Sequence, residues 1–132
     1  MNQVNFFIGS RYPVNRRSIR ATVERVLAEH RIDQAVVDVS VVGARKIATL
    51  NEQHLQHHGP TDVLSFPQYE PAELAELCKQ TERPPLHLGD IVVSFPKAVQ
   101  MARRFGKLVD AQIDFYVEHA LLHLLGFHHD DH

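Results

Sequence analysis

Five of the ten histidines in this 132-residue chain fall within its last fourteen residues. His119 and His123 stand four apart, so on a helix both imidazoles leave from one face and can share an ion. Gly126 then permits a turn that a residue with a Cβ would resist, and the turn can return His129 to the same point. The series H-x3-H-x5-H is therefore a metal tripod on a helix and its exit loop. Three protein nitrogens leave a fourth position open, as in a catalytic rather than a structural Zn2+ site. His128, next to His129, competes for the third place. A cloned histidine tag would be uninterrupted; here Leu121, Leu122, Leu124 and Leu125 give the segment an apolar face to bury.

The spacing also fits the metalloprotease pattern HExxHxxGxxH, except that Ala120 stands where the glutamate general base belongs. Alanine takes no proton, so peptide hydrolysis by that route is not expected. Cys78 is the only cysteine, which rules out an internal disulfide, and it reads as a half-exposed thiol in a polar stretch.

The elements that must carry this site can be read from periodicity. Strands are expected at Val4–Ile8, Ala35–Val42, Val63–Phe66 and Gly89–Ser94. Asn15 caps a helix running to about His30, with Ile19, Val23, Val26 and Leu27 inward. Further helices are expected at Ala44–His54, Pro96–Phe105 and about Asp110–Leu125, and a short one near Ala72–Lys79 in a proline-marked surface excursion. Gly106 and Gly126 close the last two long ones. The pattern is α+β: one domain over residues 1–132, about four strands in a mixed sheet packed with about four helices, the last a zincin-like metal helix.

Apolar residues make up 44% and charged residues 23%, ordinary for a globular protein. No apolar run approaches the roughly 20 residues of a membrane span, and Met1–Ser10 lacks signal-peptide features, so a cytoplasmic location is the expectation. The net charge of −2 is unevenly spread: residues 1–46 carry +4 and the remainder −6. Arg16, Arg17 and Arg20, with Arg25, form a basic stripe. It serves either a phosphate chain or only the solvated side of a helix.

Three blocks in order carry a specific resemblance: Pro60-Thr-Asp-Val-Leu-Ser-Phe-Pro67, Leu88-Gly-Asp-Ile-Val-Val-Ser94 and His119-Ala-Leu-Leu-His-Leu-Leu-Gly-Phe-His-His129. The chain resembles the YbeY family of metal-dependent endoribonucleases of ribosomal RNA maturation. The resemblance implies one Zn2+ on His119, His123 and His129. It also implies single-stranded ribosomal RNA as substrate, and contacts with the small ribosomal subunit and a ribosome-assembly GTPase. The chain departs from the family in several places. Ala120 replaces a glycine and His128 an aspartate. His54 and Leu55 stand where relatives carry an aromatic-arginine pair, and His58 where an aspartate is usual. The sequence stops three residues beyond His129, where relatives often carry an acidic tail. Leucine cannot neutralise a phosphate, so His54, His57 or His58 would supply a weaker, pH-dependent cation, or else form an exposed loop. Asp62, Ser65 and Asp90 are candidates to orient a ligand histidine or to touch substrate; Asp62 and Asp90 read equally well as turn residues. Asp130 and Asp131 read as solvated. A metal-stabilised binding module on the ribosome, with weak or no nuclease activity, is the alternative function.

Overall fold

The main core is built on one face of a four-stranded sheet, where Val37, Val39 and Val41 alternate with half-buried residues along the second strand. The computed structural model describes residues 1–9, 11–55 and 61–127, without the side chains of residues 54 and 55. Its elements are β1 (Gln3–Ile8), α1 (Arg16–Glu29), β2 (Ala35–Val42), α2 (Ala44–Leu55), β3 (Val63–Pro67), α3 (Pro71–Cys78), β4 (Leu86–Ser94), α4 (Phe95–Phe105) and α5 (Val109–Leu124). The sheet order is β1-β2-β4-β3, with β1, β2 and β4 parallel and β3 antiparallel to β4. The expected α+β fold with a mixed sheet is thus present, with five helices rather than about four. The fourth strand starts at Leu86, three residues before the expected Gly89.

Helices α1, α4 and α5 share the core side of the sheet, where Ile19, Val23 and Leu27 of α1 meet Ile113, Val117, Leu121 and Leu124 of α5. Leu121 and Leu124 are fully buried, and Leu125 nearly so, as their spacing requires. The opposite face is covered only in part: Ile47 of α2 packs on Leu64 and Val92. No described helix is long and apolar enough to cross a membrane.

Local chemistry sets the helix starts. The Asn15 side chain accepts from Ser18 N–H at 3.0 Å, and Ser94 caps α4 through Lys97 N–H at 3.3 Å. Two polar contacts then tie α1 to α5. Ser18 Oγ donates to Asp114, and Arg25 pairs with Glu118, the residue before His119. Burial pushes the Asp114 carboxyl above the usual carboxylate range, offset in part by Ser18 and reinforced by nearby Asp110.

Strand β4 is irregular at one point. Val36 pairs with His87 but Val37 pairs with Gly89, so β4 carries one extra residue there. Gly89 has φ +145°, and a Cβ on it would lie 2.3 Å from the Phe66 carbonyl oxygen. Only glycine fits.

Gly89→Ala would force β3 away from β4 and should cost about 2 kcal/mol or more in urea unfolding. For Asp114, the folded state holds its proton more tightly than the unfolded chain. Stability should therefore fall as pH rises from near the ordinary carboxylate pKa through the raised folded value. In Asp114→Asn that segment of the stability-pH curve should flatten.

Candidate metal and substrate site

Helix α5 lies across the core face of β3 and β4 with its apolar stripe inward, which leaves the His119–His123 side at the border of the core. Both histidines are half-buried. Their ring centroids are 4.6 Å apart, and Phe115 stacks on His119 at 6.5 Å. Lys107 Nζ lies 4.9 Å from the centre of the Phe115 ring. The two imidazoles wall a cavity of about 480 Å³ together with Asn51 of α2, Thr61, Asp62, Ser65 and Tyr116.

Strand β3 delivers the second wall because its alternation puts Val63 and Ser65 on the core side, opposite Val93 and Ile91 of β4. Asp62 precedes it. Its Oδ1 accepts from Val63 N–H at 2.8 Å and from Thr61 Oγ1 at 3.4 Å, while its carbonyl accepts from Ser94 N–H at 2.9 Å. Asp62 therefore braces the start of the strand and lines the cavity at once; the two roles that the sequence left open are compatible.

The candidate residues fall into three groups. His119, His123, Asp62 and Ser65 are brought together around one cavity. His129, the alternative ligand His128, and His57 and His58 lie outside the described residues, as does the side chain of His54 at the end of α2. Asp90 departs from its expected place. It pairs in register with Phe66 and with Asp38, on the sheet face opposite α5, and contributes nothing to the cavity wall among the described residues. Alternation from Ile91, which enters the core, fixes that direction. The arginines Arg16 and Arg20 lie over the Phe6 ring at 6.0 and 5.2 Å, and Arg17 is exposed; they form a surface on α1 and β1 and do not line the cavity.

Tyr116 is a wall residue that was not singled out from the sequence. It is 4% exposed, and its hydroxyl lies beside the Gln112 amide without meeting it at hydrogen-bonding geometry. Burial pushes the phenol pKa up, and the nearby Asp62 carboxylate adds to the rise. The Gln112 side chain offsets part of the rise. The signal was present: Tyr116, His119 and His123 are spaced three and four apart, on one helix face.

The donor set suits a metal. Two imidazoles on one helix face, at the wall of a cavity that Asp62 also lines, are ligands that Zn2+ accepts, and no thiol lines the cavity among the described residues. A second group, Asp38, His87 and Asp90, also has the composition and spacing to hold a metal ion, its ligand atoms all lying within 4.8 Å of one another.

Because its hydroxyl gains no internal hydrogen bond, Tyr116→Phe should leave unfolding stability within about 1 kcal/mol of the parent or raise it. A larger loss in denaturant titration would mean that the phenol is bonded inside the protein.

A profile of the endoribonuclease YbeY family matches residues 9–132. A protein of Anaeromyxobacter dehalogenans named endoribonuclease YbeY is 38% identical over 114 residues, covering 86% of this chain and 54% of its own length. One of Geobacillus kaustophilus with the same name is 38% identical over 113 residues, covering 82% and 72%. The chain thus spans little more than half of the first relative and under three quarters of the second. The solution structure of a Thermotoga maritima protein shares the fold, with a TM-score of 0.61 at 23% identity, covering 98% of this chain and 76% of that one. With three sequence blocks, a mixed α+β sheet and a histidine-bearing last helix in place, the chain belongs to the endoribonuclease YbeY family.

Proposed function

We propose that this chain is a zinc-dependent endoribonuclease that cuts single-stranded RNA in the cytoplasm, with ribosomal RNA as its substrate. The observation that carries the reading is the His119–His123 pair at the wall of a cavity that also presents Asp62, Ser65 and Tyr116. Family membership supplies the reaction class. By the family pattern, the partners are the small ribosomal subunit and a ribosome-assembly GTPase.

His119 and His123 would hold the ion, with His129 as third ligand from the sequence. When bound, zinc supplies Lewis acidity toward a phosphodiester and toward water near neutral pH. The chain's own groups do the rest. Tyr116 walls the cavity with its ring, its hydroxyl buried beside Gln112. Thr61 and Ser65 offer hydroxyls at the strand edge of the same cavity. Asp62, fixed by the Val63 N–H, holds negative charge near the histidines and favours their metal-binding orientation. Phe115, Val63 and Leu64 give the cavity apolar walls that limit water. The family's arginine position is Leu55, so transition-state charge falls to weaker donors, with His54 or His58 as substitutes at low pH.

That substitution favours a second reading: a ribosome-bound, metal-stabilised module with little nuclease activity. One experiment separates the two. Tag-free protein is analysed for bound metal and incubated with single-stranded and duplex RNA, alongside His123→Ala and Leu55→Arg. The enzymatic reading expects cleavage of the single strand, loss of metal and cleavage in His123→Ala, and a gain of roughly a hundredfold in Leu55→Arg. Metal-loaded parent and Leu55→Arg proteins that bind RNA and leave it intact would establish the binding module instead.

A further inference from the structure

The face of the sheet turned away from α5 carries a second constellation of metal-ligating side chains. Asp38 on β2 stands directly opposite Asp90 on β4, and His87 lies on the same face. His87 and Asp90 are three apart in sequence, so in a regular strand they would point to opposite faces. The extra residue in β4 reverses this. With Leu88 turned into the core and Gly89 lacking a side chain, His87 and Asp90 emerge together. A bulge of this kind re-aims a side chain, and here the re-aimed side chain is an imidazole beside two carboxylates.

The Asp38 carboxylate is held by neighbouring polar side chains. Asp38 Oδ1 accepts from the Asn5 amide at 2.9 Å, and Asn5 Oδ1 in turn accepts from Gln3 at 2.8 Å. Asp38 Oδ2 meets His87 Nε2 at 2.9 Å. Among the described residues no lysine or arginine forms an ion pair with Asp38 or Asp90. Like charges opposite one another on neighbouring strands are destabilising. Asn5 fixes one oxygen of Asp38, which leaves the other aimed at the space shared with His87 and Asp90. The Asp38 side chain is 18% exposed and that of His87 43%, so the group is desolvated on the strand side and open on the other.

We propose that Asp38, His87 and Asp90 bind a second divalent transition-metal ion, independent of the histidines of α5. The ligand atoms, all within 4.8 Å of one another, need only small rotamer changes to close on an ion with bonds of about 2.1 Å, whose ligands are at most about 4.2 Å apart. One imidazole and two carboxylates form a hard to intermediate donor set, suited to Mn2+ and Zn2+. The three ligands come from two strands and one side, so the remaining coordination positions face solvent. The ion bridges β2 to β4 at the bulge, where the ladder of backbone hydrogen bonds is interrupted.

The test uses the full chain without a tag. In His119→Ala/His123→Ala, Mn2+ binding is followed by electron paramagnetic resonance and by broadening of backbone amide signals in nuclear magnetic resonance. The expected result is one bound Mn2+ per chain, with broadening centred on Asn5, Asp38, His87 and Asp90 at low metal ratios. Adding Asp90→Asn or His87→Gln should weaken binding by more than about tenfold. Broadening centred on residues 54–58 or 128–132 would overturn the proposal, because other histidines would then hold the ion. So would Mn2+ binding that survives both substitutions, or none at all. The broadening pattern needs no substitution on the sheet, so it decides the matter even if Asp90→Asn or His87→Gln fails to fold. An outcome here says nothing against the α5 cavity, whose histidines are absent from the test protein.

Discussion

The burial of one stripe of α5 against the sheet is the constraint on which the rest depends. Ile113, Val117, Leu121 and Leu124 are all removed from water, and each large aliphatic side chain contributes about 1.5–3 kcal/mol. With the stripe pinned, the helix cannot rotate about its axis. The direction of His119 and His123 is then set by the packing of this stripe. The Ser18–Asp114 and Arg25–Glu118 contacts add the positioning along the axis by tying α5 to α1. Two imidazoles placed in this way are preorganised, since core packing meets the cost of fixing the helix that carries them.

The sheet presents different side chains on its two faces. Toward α5, the strand β3 brings Asp62 and Ser65 to the histidines and to Tyr116. Away from it, Ile47 of α2 packs with Leu64 and Val92, and Asn5, Asp38, His87 and Asp90 lie beside that patch on the same face. The bulge at Leu88–Gly89 keeps the two faces distinct: in a regular strand over the same residues, with Asp90 outward, His87 would turn to the core side. The glycine is held there by the close approach of the Phe66 carbonyl, so β3, which builds one site, also enforces the geometry of the other.

A large share of this was legible in the sequence. Apolar periodicity located every strand and helix to within three residues, because each element buries one face and its period is read directly. The shared face of His119 and His123 needed only the helical spacing, and the family blocks needed only their order. Tyr116 was equally accessible through the same spacing, yet an aromatic among leucines reads as core until the cavity beside it is seen. Asp90 was misplaced for a different reason. A Leu-Gly-Asp turn and a bulged strand have the same local composition, and only the pairing of Val37 with Gly89 distinguishes them.

The sequence by itself determined which residues could do chemistry, since residue type and helical phase are properties of the chain alone. It also determined the α+β class, through the alternation of period 2 with period 3.6. Tertiary structure decided which of those residues meet. Asp62 and Tyr116 lie 54 positions apart along the chain, and Asp38 and His87 lie 49 apart; nothing local encodes either approach. They are joined by strand register and by the side of the sheet on which α5 docks, and both are fixed by the packing of the whole core.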